Sequence, residues 1–453
     1  MRTMKNSGVE WIGEIPQDWE IHRMKSCISE RTSGAWGNEA TGKDGDIICL
    51  RIADFDYSKF RFKDCPIDEL TRRNYDKDTI DRLSLCKGDI LIEKSGGGEK
   101  TPVGRTVIFD KDYNALYANF MDRLRCTKLV TTVWMQYVFV VFYKNDYSKN
   151  YVKQTTGIQN LDLTSMLANE RIPIPPISEQ QSIADFLDTQ CAHIDSVIEK
   201  TRAAIEEYKK LKQSVITQAV TKGIRPNREM KDSGIEWIGE MPKEWDITVV
   251  GRLCFVTKLA GFEYTKEMDG NITSEGEVPI VRAQNIKMGQ FIPNDKEYIS
   301  LELSKRLSRC ALDKRCLLIT FIGAGIGETA LYNNEIRSHL APNVAKIVIN
   351  DDMKKFLIEE YLLYFFMSFS GQEEVNKIKK ATAQPSLSMQ TIRSIKITLP
   401  RSVFEQSEIV AYLDEKTAAI DSLVQKKEQL ITELEAYKKS LIYEYVTGKK
   451  EVV

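Results

Sequence analysis

The sequence predicts a mixed α/β (α+β) tandem repeat. Two α/β domains are each followed by a long helix, and the helices pair as an antiparallel coiled coil about a pseudo-twofold axis. Three observations predict this. One motif occurs twice, 226 residues apart, and matches downstream keep that separation. Two stretches repeat apolar residues at three- and four-residue spacing in one shared register. Between these features lie short apolar bursts punctuated by glycine.

The repeat comes first, because self-similarity decides the architecture. SGVEWIGEIPQDW begins at Ser7 and SGIEWIGEMPKEW at Ser233. Glu179-Gln180 matches Glu405-Gln406, Ile194-Asp195-Ser196 matches Ile420-Asp421-Ser422, and Val220-Thr221 matches Val446-Thr447, all at the same offset. The middles match less well. Leu50-Arg51-Ile52 aligns with Val281-Arg282-Ala283 only after a slip in offset. Thr156-Gly157-Ile158-Gln159-Asn160-Leu161 falls opposite Thr382-Ala383-Gln384-Pro385-Ser386-Leu387. A kept frame with diverged middles suits halves that do one job on different targets.

Four segments follow: domain one at 1–175, a long helix at 176–224, domain two at 225–401 and a second long helix at 402–453. In the domains, Asp46–Leu50, Gly88–Ile92 and Leu317–Ile322 read as short strands. Trp134–Tyr143 and Phe356–Phe369 read as buried helices. Along the first long helix, Ile183, Leu187, Ile194, Ile198, Ile205, Tyr208 and Val215 form an apolar seam. Ile409, Leu413, Ile420, Val424, Ile431, Leu434 and Leu441 repeat it. Ser178 with Gln181, and Ser402 with Glu405, fit capping boxes; Gly223 and Gly448 fit stops. About 40 residues of helix rise on the order of 60 Å. Two such stripes in one register cover each other most simply as an antiparallel pair. Two unrelated core helices are the alternative, and they leave the length unexplained.

Net charge is −1, so the bulk composition neither points to nucleic acid nor excludes it. The nine cysteines form no CxxC pair, which reads as reduced thiols in a cytoplasmic protein. The longest apolar runs, Val133–Phe142 and Leu362–Phe366, are too short to span a bilayer. His22, His193 and His339 have no metal-ligand spacing, so no metal site is expected.

The order of GVEWIGEIP, a variable domain, TTGIQNL, IPIPPISEQ and a long helix, then the series again, resembles the specificity subunit of Type I restriction–modification enzymes. The resemblance covers essentially the whole chain. The second half departs from it at Ala383-Gln384-Pro385-Ser386-Leu387 and LPRSVFEQ. The resemblance implies two target recognition domains, each reading one half of a split DNA sequence. It also implies helices that set the unread gap and dock two methyltransferase (modification) subunits, with restriction subunits completing an ATP-dependent nuclease. S-adenosylmethionine, ATP and magnesium would belong to those partners, with no cofactor in this chain.

Base reading needs donors and acceptors at groove edges, while Lys and Arg also anchor phosphates. The glycine-rich stretch Glu93–Arg105 is the best candidate in domain one. Lys94, Lys100 and Arg105 supply charge, Ser95 and Thr101 hydroxyls, and Gly96 room for the backbone to approach an anion. Taken alone, the loop reads equally as an ordinary hairpin. Its counterpart, Thr320–Gly327, is poor in charge and offers Thr320. Further candidates are Arg51, Asn119, Arg123, Gln159 and Asn160 in domain one, and Arg282, Gln284, Asn285, Asn343 and Gln384 in domain two. A surface or strand-capping role competes at each. Trp11, Trp19, Trp237 and Trp245 read as packing residues between domain and helix base.

Two enzyme readings compete. Phe321-Ile322-Gly323-Ala324-Gly325 imitates the glycine loop with which methyltransferases bind S-adenosylmethionine, but no Asn/Asp-Pro-Pro-Tyr/Phe tetrapeptide accompanies it. Gly98-Glu99-Lys100-Thr101 imitates the end of a phosphate-binding loop, yet Glu99 stands where glycine must precede lysine. No catalytic residue is assigned. A scaffold that binds only proteins is the third reading, and the divergent middles argue against it.

Overall fold

The computed structural model describes residues 2–42, 45–98, 101–155, 157–380 and 386–452. The chain divides into two units, Met1–Arg202 with Glu428–Val453, and Ala203–Lys427.

In the first unit the opening motif is a hairpin, Met4–Asn6 against Glu14–Pro16. Asn6 Oδ1 accepts from Gly8 N at 2.8 Å and Ser7 Oγ from Val9 N at 3.1 Å. These short side chains satisfy the turn's own amides, which is why polar residues recur there. The strand Glu20–Arg23 then pairs antiparallel with Arg171–Ile174, so the domain closes where it began. A six-stranded sheet runs in the order Ile28–Ser33, Met121–Cys126, Ile90–Glu93, Thr106–Ile108, Arg61–Phe62, Phe55–Asp56. A four-stranded sheet runs Ala115–Tyr117, Asp46–Leu50, Arg72–Asn74, Asn38–Glu39. The helix Thr132–Lys144 buries every residue from Trp134 to Phe142. A helix covered all round needs no polar stripe, so its sequence shows little amphipathic period.

The second unit repeats this plan. Met230–Asp232 pairs with Glu240–Pro242, and Asp246–Val249 with Lys396–Leu399. One sheet runs Cys254–Lys258, Val344–Ile349, Cys316–Thr320, Thr329–Tyr332, matching the first four strands of the six-stranded sheet. The other runs Tyr298–Ile299, Val278–Val281, Ser338–Leu340, Ala311–Leu312. The strand expected at Gly88–Ile92 is Ile90–Glu93, and that at Leu317–Ile322 is Cys316–Thr320. The helix expected over Phe356–Phe369 is two helices, Glu359–Met367 and Phe369–Lys380. Ser368 breaks it: its hydroxyl donates to Phe365 O at 2.6 Å and accepts from Gly371 N at 3.0 Å. A Cβ at position 371 would lie 2.0 Å from Phe365 O, so only glycine fits the break.

The long helices are Ile177–Lys222 and Val403–Val446. Each is followed by a glycine in the left-handed region, Gly223 at φ +74° and Gly448 at φ +69°. Their starts depart from the expected capping boxes. Ser178 lies inside the first turn, where Glu179 N and Gln180 N both bond Pro176 O. Ser402 Oγ does accept from Phe404 N at 3.2 Å, but Glu405 turns instead to Trp245 and Arg228.

Within each unit the helix segments run antiparallel. In the first, Phe186 meets Tyr445 with ring centroids 4.6 Å apart, Asp195 meets Lys438 at 2.7 Å, and Arg202 meets Glu435 at 3.0 Å. In the second, Lys427 lies over Tyr208 at 5.7 Å and Lys212 meets Asp421 at 2.7 Å. Of the seam, Ile183, Leu187, Ile194, Ile198, Ile205, Ile409, Leu413, Ile420 and Leu441 are buried. Tyr208, Val215, Val424, Ile431 and Leu434 are half-buried.

Candidate nucleic-acid interface

Each domain grips its helix base in the same way. Trp19 Nε1 donates to Glu179 Oε2 at 3.0 Å, and Trp245 Nε1 to Glu405 Oε1 at 3.3 Å. Arg2 and Arg228 pair with those same glutamates. Gln180 accepts from Thr131 N and donates to Leu129 O and Pro175 O. Gln406 does likewise with Ile358 N, Phe356 O and Pro400 O. Trp11 packs edge-on against Phe142 at 4.9 Å, and its carbonyl accepts from Tyr443 OH at 2.8 Å. Trp237 O accepts from Ser370 Oγ at 2.8 Å. All four tryptophans pack within the protein.

The glycine-rich stretch of domain one is the loop of a hairpin between Ile90–Glu93 and Thr106–Ile108. The strand Ile158–Leu161 lies along it: Leu161 N donates to Lys94 O at 2.8 Å, Gly96 N to Gln159 O at 3.1 Å, and Ser95 Oγ to Asn160 Oδ1 at 2.7 Å. The turn at Asn119-Phe120 joins the same cluster, because Phe120 O accepts from Lys94 N at 2.9 Å. Domain two builds the same junction from other residues. Leu387 N donates to Phe321 O and Phe321 N to Asn343 O, each at 2.9 Å. An isolated bridge joins Ile322 to Ser386. Thus Phe321 stands for Lys94 and Asn343 for Phe120.

The structure therefore brings Lys94, Ser95, Gly96, Gln159, Asn160 and Asn119 to one edge of domain one. Thr101 is exposed further along the loop. Lys100 and Gln384 lie outside the described residues, as do Thr156 and Thr382–Pro385 of the compared motifs. Several candidates are committed inside the protein. Arg123 is 2% exposed and donates to Ser84 O at 2.8 Å and to Glu30. Gln159 is buried, with Val103 N 3.4 Å from its side-chain oxygen. Asn285 is buried and accepts from Arg282 N at 2.8 Å. Thr320 is fully buried at the position of Glu93, and its hydroxyl has no partner among the described residues. Gln284 and Asn343 are exposed, the latter at φ +78°.

The charged candidates among the described residues are already paired. Lys94 Nζ sits 2.7 Å from Asp122, a fully buried carboxylate that also accepts from Arg31 at 2.7 Å and Ser33 at 2.8 Å. Burial pushes the Asp122 carboxyl up, and these donors more than offset it, leaving it below the usual carboxylate range. Arg105 makes two bonds to buried Glu93, at 2.7 and 3.0 Å, with its guanidinium 3.7 Å from the Tyr57 ring centroid. Arg51 and Arg282 occupy one structural position. Ala118 N donates to Leu50 O, and Ala341 N to Val281 O, both at 2.9 Å. Arg51 pairs with Asp54 at 3.1 Å, and Arg282 with Glu297. The slipped alignment read in the sequence is therefore a structural equivalence.

Residue reading missed the aromatics beside these groups. Trp36 is 42% and Phe120 47% exposed. The available signal was Phe120 standing next to Asn119 at the end of an apolar strand.

Both glycine stretches that imitate enzyme loops fall between two strands that pair antiparallel. The cofactor loops they imitate join a strand to a helix N-terminus, whose amides hold phosphate. Among the described residues no cluster of three or more His, Cys, Asp or Glu could hold a metal ion. No described helix is long and apolar enough to cross a membrane.

Two diversified α/β domains on a repeated helical frame define a DNA specificity protein. The Type I restriction modification DNA specificity domain family matches residues 46–207 and 242–433, and the chain belongs to that family. The putative type I restriction enzyme MjaX specificity subunit of Methanocaldococcus jannaschii is 24% identical over 97% of this chain and 96% of its own length. The EcoKI specificity subunit of Escherichia coli K12 is 24% identical over 96% of this chain and 90% of its own. Among solved structures, a chain from work on complex assembly and conformational transition of the type I R-M system superposes with a TM-score of 0.71. It has 13% identity and covers 96% of this chain and 99% of that one. The HsdS subunit of Thermoanaerobacter tengcongensis gives 0.51 at 14% identity, covering 96% and 98%. These two likenesses carry the fold.

Proposed function

We propose that this chain is the non-catalytic targeting subunit of a Type I restriction–modification complex, and that each domain reads one half of a bipartite, asymmetric target in double-stranded DNA. One observation carries the reading. The junction of hairpin loop, strand and turn is built by the same backbone bonds in both domains, while its side chains differ: Lys94, Ser95, Asn160 and Phe120 in one, Phe321, Ile322, Ser386 and Asn343 in the other. Common geometry with unlike chemistry suits two readers of unlike half-sites.

The long helices set the gap between the half-sites and dock two modification subunits. Restriction subunits complete the nuclease. S-adenosylmethionine, ATP and magnesium act on those partners, and the assembly works in the cytoplasm.

The test is methylation mapping of DNA from cells expressing this chain with its modification subunit. The expected result is methyladenine in a two-part motif with a fixed gap. Methylation by the purified chain alone, or a continuous motif, would overturn the proposal.

A further inference from the structure

The turn at Asn119-Phe120 does not stand alone. Trp36, Arg51, Ile52 and Ala118 line a cleft with it, of about 410 Å³ and almost wholly apolar. Phe120 and Trp36 leave a large part of their rings uncovered on its walls. The Asn119 side chain has no hydrogen-bond partner among the described residues, although its neighbours are closely bonded. Met121 N donates to Ala118 O at 3.1 Å, and Ala118 N to Leu50 O at 2.9 Å. The turn is therefore a fixed platform bearing one free amide and one free aromatic face.

The rim of the cleft carries two guanidinium groups, one of them without a carboxylate partner among the described residues. The Arg73 guanidinium lies 4.7 Å from the Trp36 ring centroid and donates to Trp36 O and Gly37 O, each at 3.1 Å. It pairs with no carboxylate among the described residues. Arg51 is held by Asp54 yet remains 40% exposed. An anionic occupant complements this rim, and the apolar floor needs an occupant with an apolar group as well.

Both demands are met by duplex DNA at an A·T pair: its phosphates are anionic, and its major-groove edge offers adenine N6 and N7 to an amide and the thymine methyl to an aromatic ring. Resting on the reading of domain one as a DNA reader, we propose that Asn119 and Phe120 together recognise one A·T pair of its half-site. The amide bonds adenine, Phe120 and Trp36 receive the thymine methyl, and Arg51 and Arg73 meet the flanking phosphates. Domain two cannot repeat this contact. Its turn carries Pro342-Asn343, so the position of Asn119 has no amide and that of Phe120 no ring. Arg51 and Arg282 occupy one position in the two domains, whereas the aromatic is specific to one.

The test uses the full chain assembled with its modification subunit and a duplex bearing the mapped target. Each thymine of the domain-one half-site is replaced in turn by deoxyuridine, which removes only the methyl group. For the unsubstituted protein, one replacement is expected to weaken binding roughly fourfold. In F120A that penalty should vanish. In N119A, discrimination of the same A·T pair against G·C should fall roughly tenfold, with the other half-site unaffected. A half-site with no A·T pair, or a methyl penalty unchanged in F120A, overturns the inference while the bipartite target still stands. Loss of the modification subunit from F120A with DNA discrimination intact would assign the cleft to a protein partner, and overturns it too. Failure of the unsubstituted assembly to bind any bipartite site would instead sink the reading beneath it.

Discussion

Trp19 and Trp245 each bond a glutamate 160 residues downstream, and in each unit the next residue is a buried glutamine that ties three backbone groups together. Asn119-Phe120 and Pro342-Asn343 occupy one turn and share nothing but backbone geometry. The sockets joining domain to helix have kept their side chains through duplication, and the turns at the far ends of the strands have kept only their course. A socket residue satisfies several partners at once, so most changes leave a buried group unpaired. A turn residue facing solvent is free to change, and changing it changes what the domain can touch.

The sharpest way to break this comparison is to remove the tryptophans. Trp19→Ala and Trp245→Ala each empty a fully buried site. Each should destabilise its own unit by about 3–5 kcal/mol in denaturant unfolding. The two losses should agree within about 1 kcal/mol, since the sockets are alike. A large loss on one side only would mean that the repeated bonds are not energetically repeated.

Next come the glutamines. Gln180→Ala strands Thr131 N, Leu129 O and Pro175 O, and Gln406→Ala strands Ile358 N, Phe356 O and Pro400 O. A loss of about 2–3 kcal/mol is expected in each unit. Gln→Glu should not restore it, because a carboxylate cannot donate to the two carbonyls.

A third test uses a difference instead of a likeness. Asp122 of the first unit falls where the second has Ala345: Asp122 pairs with Ile92 and Ala345 with Ile319, one residue before the equivalent Glu93 and Thr320. Its folded carboxyl titrates below the unfolded value of 3.8. Its stabilising contribution is therefore complete above that pH and is lost as pH falls through the lower folded value. The melting temperature of the first unit should drop on acidification below about pH 3.8, and Asp122→Asn should flatten that part of the profile. If the profile is unchanged by the substitution, the Lys94–Asp122–Arg31 cluster is not what holds this edge.

How much of this was legible in the sequence follows the same division. The frame could be read because Ser7 and Ser233, Glu179 and Glu405, and Asp195 and Asp421 keep one offset, and because the seam residues keep helical spacing. The buried helix Thr132–Lys144 showed its apolarity but not its packing. The break at Ser368 was hidden, since it depends on one hydroxyl's choice of backbone partners. At the candidate site, residue type found Arg51, Asn119 and Asn160 at or near the surface. It could not separate them from Arg123, whose acceptors Ser84 O and Glu30 come from distant strands and loops. Nor could it see that Lys94 and Arg105 already have carboxylate partners, for Asp122 lies 28 residues from Lys94 in the chain and is brought to it by sheet pairing. Phe120 escaped because an aromatic at a strand end reads as core until burial is known.

The smallest expected effect concerns the helices themselves. Asp195 pairs with Lys438 and Lys212 with Asp421, so one ion pair occurs twice with its charges exchanged between the helices. The surroundings differ. Lys438 and Asp195 are 11% and 17% exposed, and Lys438 also donates to Ser58 O at 2.7 Å and lies 5.0 Å from the Phe60 ring centroid. Lys212 and Asp421 are 27% and 58% exposed and make no bond to a domain loop among the described residues. Water competes for the second pair and much less for the first. Double-mutant cycles should give a coupling of about 0.5 kcal/mol for Lys212–Asp421, falling with added salt. The Lys438–Asp195 coupling should exceed 1 kcal/mol and resist salt, because removing one partner leaves a partly buried charge. Equal couplings would mean that the pair serves only the helix register in both units. The expected inequality would mean that Lys438 also fixes the 56–60 loop of the first domain to its helix.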